Sequence, residues 1–547
     1  MYKSKSAKIF LTKIYGEDPE TLIWKISKQY SGGDDALASR LYEYALQGWL
    51  KFASAILSSV IDSYNMPISC FLLHVEDHVD SLIEHVAEVS RITVRGGGVS
   101  GNWSKISGPG PNSPGPIGYM NTINAAVKVY RQDGARRGNY AAYMDVSHPS
   151  ILNFITMRIP GGDADRKNLN LHHAVNISNQ FMEAVKNNNQ WNLICPKTNK
   201  IIQTLSARNI WELILETRYR TGEPYLNFID TVNYFNPVAL KQQNLHITCS
   251  NLCNEIHLPT QNELAAVCCL SSLNAAAYRE WEDTNIVGDV IEMLDNVIQY
   301  FIDNAPSSLT SAIRGAQLLR PLGLGVLGLA QLYQREMIPF DSDEAANLNR
   351  ELFSLMKDRA VERSRQLANI RGEPPGLIGT GQRNSHLLAV APTTNSATLL
   401  QTSPSIEPWP SNAYMNKTKT GSILIKNPEL RQLLKKKGKN TQDIWQTIIV
   451  NNGSVQGLSF LSEHEKSIFK TAYEVDPFQI LRQAADRQKY ICQGQSLTLF
   501  LPKETSRLKL HQLHWFAWTH GCKGMYYIRT KAKHRVESLE DCVNCHG

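Results

Sequence analysis

The stretch HITCSNLCNEIHLP, His246 to Pro259, places an amide, a thiol and a carboxylate within five residues: Asn251, Cys253 and Glu255. Side chains alternate along an extended chain, so this spacing predicts all three on one face. On such a face the amide holds a hydroxyl by hydrogen bonds and the carboxylate accepts its proton, while the thiol serves as nucleophile, metal ligand or radical. A buried cysteine is more often a small hydrophobe, and a lone glutamate is more often solvated, so the motif gains its weight from its neighbours. Cys268 and Cys269 follow in AAVCCLSSLNAA, and Cys70 sits in PISCF. Cys249-x3-Cys253 with an adjacent cysteine pair lacks the Cys-x-x-Cys spacing of a structural zinc site, and a dithiol able to close to a disulfide fits better.

A second cysteine feature ends the chain, DCVNCH, Asp541 to His546. Cys542-x-x-Cys545-His546 has the spacing of a c-type haem attachment, of half a zinc site and of a redox dithiol. Ten cysteines in 547 residues are too dilute for a disulfide scaffold. The opening MYKSKSAKIFLTKIYGEDPE has its apolar run broken by Lys13 and followed by acids, so it reads as no export signal. The expectation is a chain with reduced thiols in the cytoplasm (the host cytoplasm if virus-encoded), which disfavours haem attachment.

The elements that must position these residues follow from patterning. With 42% apolar residues the chain can bury a large core, and its net charge of +7 is spread too thinly to mark a nucleic-acid partner. The densest basic run, Lys435 to Lys439, follows Asn427-Pro428-Glu429 and reads as a helix C-terminus with Gly438 beyond it. From Asp18 to about Leu57 the apolar spacing is helical; MPISCFLLHV behind it reads as a buried strand. Arg95 to Gly118 holds eight glycines and four prolines in 24 residues and reads as a long loop. Its Gly96-x-Gly98-x-x-Gly101 matches the dinucleotide fingerprint only in form, since no helix opens on the last glycine. Beyond it, helical stretches such as NAAVKVYRQ and ISNQFMEAVKNN alternate with short apolar runs such as HITCSNL and SLTLFLP, an α/β pattern, and Ser462-x-x-Glu465 has the form of a capping box. No stretch reaches transmembrane length, and the residues from Lys531 onward read as a mobile tail.

Taken together, SNLCNEI, PISCF, VCCLSSLN, PTTNSA, IEP, NNGSVQ, ADRQKYICQGQSLTLF, KGMYYIRT and the terminal cysteine pair resemble the motif set of the large, catalytic subunit of class I ribonucleotide reductase, from about Leu37 to the end. The resemblance implies a ten-stranded α/β barrel with a central finger loop over residues 61–530, a short helical region over 1–60 without the family's ATP-binding cone, and a flexible redox tail over 531–547. The implied reaction converts ribonucleoside diphosphates to 2′-deoxyribonucleoside diphosphates for DNA synthesis. Cys253 would become a thiyl radical that removes the 3′ hydrogen of the ribose; Glu255 would act as base toward the 3′-hydroxyl, and Asn251 would hold the hydroxyls. Cys70 and Cys268 would supply a proton and two electrons and end as a disulfide. Cys268 is favoured over Cys269 because the family pattern is Cys-x-Leu-Ser, which leaves Cys269 as a core residue.

By the same resemblance Thr393, Thr394, Asn395 and Ser396 would bind substrate phosphates, with no P-loop lysine among them, and Ser54 and Ser69 would line the same site, although the usual proline beside Ser54 is missing. Tyr526 and Tyr527 would relay the oxidising equivalent from a separate small, metal-containing, radical-generating subunit; this dyad argues against a cobalamin-dependent reductase. Asp77, His78 and Val79 would anchor a nucleoside triphosphate effector, with Pro160 to Asn170 relaying its identity to the active site. Cys542 and Cys545 would carry reducing equivalents from thioredoxin or glutaredoxin to the internal disulfide. The chain itself would bind no metal and no other cofactor, would form a homodimer, and would engage neither nucleic acid nor membrane. A catalytically silent nucleotide-binding subunit is the rival of a different class.

Overall fold

The structure is a computed structural model that describes residues 12, 16–111, 113–130, 138–418 and 421–531. Two capped helices open it. Asp18 accepts hydrogen bonds from the amides of Glu20 and Thr21 at the start of Pro19–Gln29, and Asp34 does the same for Ala36 and Leu37 at Asp35–Gln47. Gly48, in the left-handed conformation at φ 80°, ends the second helix. The helical pattern expected to continue to about Leu57 is therefore interrupted. Leu50–Phe52 is a strand, because its backbone finds partners in the sheet, and a helix resumes at Ser54–Ile61.

Among the described residues fifteen strands follow in chain order: β1 Leu50–Phe52, β2 Cys70–Leu73, β3 Gly98–Asn102, β4 Tyr140–Asp145, β5 His172–Ile177, β6 Gln190–Ile194, β7 Ile201–Ser206, β8 Tyr225–Phe228, β9 Ala266–Asn274, β10 Leu322–Leu327, β11 Ala413–Thr418, β12 Gly421–Lys426, β13 Leu499–Leu501, β14 Gly524–Met525 and β15 Ile528–Thr530. β2, β3, β4, β5 and β8 run parallel, each beside the next. A second parallel set starts with β9 and β10, continues through the bridges Leu324 to Leu388 and Val390 to Gln495, and ends with β13 beside β15. The two sets meet antiparallel, β2 on β9 and β8 on β14, which closes five and five into the expected ten-stranded α/β barrel.

The glycine-rich stretch expected as one long loop holds β3 and, from Gly115, the start of the helix Gly115–Val129. The physical reason is close approach. A Cβ on Gly101 would lie 2.3 Å from the Tyr140 hydroxyl, which would have to move, and one on Gly98 would press on Leu252 Cδ2 at 3.2 Å, so glycine suits the close approach of β3 there.

Side-chain alternation sorts the sheet residues into two cores. Leu50, Phe52, Phe71, Leu73, Val267 and Cys269 face the outer helices, including Ile286–Asn304. Cys70, Leu72, Ala141, Tyr143, Ala174, Tyr225, Cys268 and Leu270 face inward. The inward set packs around Cys249, Leu252, Cys253, Ile256 and Leu258, which belong to an irregular segment threading the barrel between Leu245 and Ala265. A smaller core of Leu430, Leu434, Trp445, Ile448 and Phe469 organises residues 413–469. There Asn427 caps Pro428–Lys436, the basic run ends that helix with Gly438 at φ 66°, and Ser462 and Glu465 form the capping box.

Candidate active site

The threading segment presents its chemistry through a turn. Asn251 Oδ1 accepts from the amides of Glu255 and Ile256, both at 3.0 Å, and the Asn251 amide donates to the Ile256 carbonyl at 3.2 Å. Asn254 takes the left-handed conformation, φ 62°, which asparagine tolerates better than most residues. Asn251 Nδ2 then donates to Glu255 Oε1 at 2.9 Å, with Cys253 at the bend. The three groups converge as the spacing predicts, but by a reversal of the backbone; HITCSNL is not the short strand that its apolar run implies.

The barrel wall holds the turn from several sides. Tyr143 donates to the Asn251 carbonyl at 2.7 Å, Asn254 Nδ2 to the Leu226 carbonyl at 2.9 Å, the Gly494 amide to the Glu255 carbonyl at 2.7 Å, and Ser496 Oγ to the Cys253 carbonyl at 2.8 Å. Ser496 Oγ also lies 3.1 Å from Glu255 Oε2. Burial raises the Glu255 carboxyl to about 7, against the opposing hydrogen bonds from Asn251, its own backbone and Ser496. A carboxyl so poised exchanges a proton readily near neutrality.

Cys70 lies directly opposite Cys268 across the antiparallel β2–β9 pair. Opposed residues of such a pair have Cα atoms about 4.5–5.5 Å apart, inside the range a disulfide spans. Asn251 Nδ2 lies 3.1 Å from Cys70 Sγ, and Gln493 Nε2 lies 3.4 Å from Cys268 Sγ. Burial is the main reason that the Cys268 thiol is pushed well above its ordinary range, with Cys269, Cys70 and Glu255 adding to it. Cys269 faces the outer core, where its Sγ donates to the Leu294 carbonyl at 3.4 Å.

A cavity of about 40 Å³ opens beside these groups, lined among others by Lys51, Ala53, Ser69, Cys70, Asn251, Cys253, Glu255, Thr393 and Ser396. Of the expected phosphate residues, Thr393 and Ser396 line it, and Thr394, Asn395 and Ser396 belong to the helix Thr394–Leu400. Ala53 lines the cavity rather than Ser54, whose Oγ is buried without a hydrogen-bond partner. Tyr526 and Tyr527 connect β14 to β15, with ring centroids 4.2 Å apart, and Tyr526 belongs to the inner cluster with Cys253. Tyr225 of β8 packs against both, at 4.6 and 5.1 Å, and His172 stacks on Tyr225.

Away from the barrel interior, Glu76, Asp77, His78, Lys105, Pro196 and Lys197 line a cleft of about 470 Å³. Asp77 accepts from Ser107 Oγ and His78 caps the helix Val79–Thr93, whereas Val79 points to solvent. The Pro160 to Asn170 stretch packs on Gly115–Val129 through Asn121 Nδ2 to the Asp165 carbonyl and Asn168 Nδ2 to the Ile117 carbonyl. Cys542 and Cys545 lie outside the described residues.

Lys51, Tyr143, Tyr225, Gln493 and Ser496 are site residues that sequence reasoning misses. Gln493 and Ser496 stand inside the quoted motif ADRQKYICQGQSLTLF, which is the one signal available for them.

The chain as a whole is similar to known proteins. The family model described as ribonucleotide reductase, barrel domain, matches residues 68–376 and 377–528. A Frog virus 3 (isolate Goorha) protein, provisionally named a ribonucleoside-diphosphate reductase large subunit, is 48% identical over 557 residues, covering 100% of this chain and 98% of its own. The ribonucleoside-diphosphate reductase large subunit of Invertebrate iridescent virus 3 is 36% identical over 593 residues, covering 95% and 94%. Among solved structures, the Actinobacillus ureae class Id ribonucleotide reductase alpha subunit superposes with a TM-score of 0.88 at 32% identity, covering 99% of each chain.

Proposed function

The chain belongs to the ribonucleotide reductase large-subunit family, and from that premise we propose that it reduces ribonucleoside diphosphates to 2′-deoxyribonucleoside diphosphates at the tip of the threading segment. The observation that carries this reading is the convergence of Cys253, Glu255, Asn251 and Cys70 around one cavity, with Cys268 directly opposite Cys70 on β9.

The reaction needs a hydrogen atom removed from C3′, a proton removed from the 3′-hydroxyl, and two electrons with a proton delivered as the 2′-hydroxyl leaves. Cys253, as a thiyl radical, takes the 3′ hydrogen. Beside the resulting carbon radical, a protonated 2′-hydroxyl departs as water. Glu255, near neutrality because of its burial, accepts the 3′-hydroxyl proton while Asn251 orients both partners. Cys70 and Cys268 close to a disulfide, which balances the reduction, and Cys253 returns its hydrogen to C3′.

The oxidising equivalent comes from a separate small, metal-containing subunit and passes through Tyr527 and Tyr526; Tyr225, packed against both rings, helps hold their geometry. The Asp77 cleft takes a nucleoside triphosphate effector. Val79 and Ile83 on one exposed helix, with Val129 on its neighbour, support assembly as a homodimer. The tail dithiol passes electrons from thioredoxin or glutaredoxin in a reducing compartment such as the cytoplasm. Among the described residues no helix is long and apolar enough to cross a membrane.

The test is a reduction assay with and without the radical-generating small subunit. Deoxynucleotide should form only in the complete mixture; none, with the small subunit's radical demonstrably present, overturns the proposal.

A further inference from the structure

Lys51 is the cation that this site has no other reason to bury. Its side chain is 3% exposed, and its ammonium has no hydrogen-bond partner. The register explains where it points. Lys51 pairs with Ser272 on β9, two residues on from Leu270 and four from Cys268, both of which face the barrel interior. Leu50 and Phe52, its neighbours on β1, face the outer core. Lys51 is accordingly among the residues lining the cavity that holds Cys253.

An ammonium taken out of water needs a counter-charge or hydrogen bonds that stabilise it, or it loses its proton. Burial alone pulls this one down to about 8. Glu255 is the carboxylate among the cavity residues, and its two oxygens are held by Asn251 and Ser496 rather than by Lys51. Other polar groups there are also unspent: Ser69 Oγ and Ser271 Oγ are buried without partners. Across the cavity Thr393 and Ser396 supply hydroxyls from a segment containing no cation of its own. One ammonium and several hydroxyls facing a shared space make a receptor for an anion rich in acceptor oxygens.

We propose that Lys51 is the cationic ligand of the substrate's 5′ phosphates, a specificity determinant that selects phosphorylated ribonucleotides over ribonucleosides. The inference rests on the proposed reduction reading for the identity of the ligand. Bound phosphate supplies the missing counter-charge, and Lys51 holds the ribose end in register with Cys253.

The experiment measures binding at equilibrium rather than turnover, so it stands apart from whether reduction occurs. Lys51→Met, which keeps length and removes charge, should weaken ribonucleoside diphosphate binding by about 10- to 100-fold, as expected for one charge-assisted hydrogen bond. It should leave affinity for the unphosphorylated ribonucleoside where it was. Lys51→Arg should retain most of the diphosphate affinity. Without ligand, Lys51→Met should melt at a higher temperature than the parent, because a buried unpaired charge is gone, and the diphosphate should stabilise it less. Unchanged diphosphate affinity in Lys51→Met overturns the proposal, as does an equal loss for diphosphate and ribonucleoside. Failure to form deoxynucleotide with intact Lys51-dependent binding would instead count against the reduction reading alone.

Discussion

Ser496→Ala gives a direct test of how the Glu255 proton affinity is set. Ser496 Oγ is 3.1 Å from Glu255 Oε2 and 2.8 Å from the Cys253 carbonyl, so its single proton is shared between two acceptors. A hydrogen bond to a charged group contributes about 1.5–3 kcal/mol. Here the hydroxyl can also accept from the protonated carboxyl, so only part of that difference favours the ionised form. Taking about 1 kcal/mol, the shift on removal is roughly 0.7 of a pKa unit. Glu255 would rise from about 7 toward the high sevens. A base works when ionised, so its activity falls as pH drops through its pKa, and raising that pKa moves the acid limb to higher pH. At pH 7 the ionised fraction should fall from about a half to roughly one sixth, an approximately threefold loss in kcat/KM. At about pH 9 the two proteins should agree, since both are then ionised. The assay is the pH profile of kcat/KM for diphosphate reduction with the small subunit and a small dithiol reductant. An unmoved acid limb, or a loss of the same size at every pH, would refute the reasoning, the second outcome indicating displaced geometry rather than a shifted proton.

Two further outcomes concern the thiols. A single turnover without external reductant should link Cys70 to Cys268, read by peptide mapping under non-reducing conditions; a Cys70 to Cys269 link would contradict the face assignment, since Cys269 lies in the outer core. Replacing Cys542 and Cys545 together by serine should abolish thioredoxin-driven turnover and spare turnover driven by a small dithiol, whereas equal loss with both reductants would remove the shuttle.

The α/β pattern is legible in the sequence where periodicity and chemistry agree, whereas the ten-stranded barrel follows only from the resemblance of the motif set. PISCF and VCCLSSLN alternate between inner and outer faces, which is why Cys268 and Cys269, adjacent in sequence, occupy different cores. Patterning fails where a local signal is ambiguous and a distant partner decides. WLKF continues a helical pattern, yet Gly48 ends the helix and β9 recruits the next residues into the sheet. β3 carries too many glycines to resemble a strand, because Leu252 and Tyr140 fill the space a Cβ would need. Asn251 and Glu255 meet through a turn that Asn251 closes with its own side chain, so alternation finds the right residues by the wrong geometry. Lys51 is invisible for a simpler reason: a single lysine among apolar residues looks like the solvated edge of a helix, and only the β1 register turns it inward. Ser496 and Gln493 reach the site from more than 200 residues away, a proximity that no local pattern encodes.

The central claim is that Cys253 is the residue through which the ribose is activated. The most direct measurement is Cys253→Ser in the complete mixture with the small subunit, assayed for deoxynucleotide while substrate binding is measured on the same preparation. The account predicts that binding stays within a few-fold of the parent and that no deoxynucleotide forms. Deoxynucleotide at the parental rate from Cys253→Ser would contradict it.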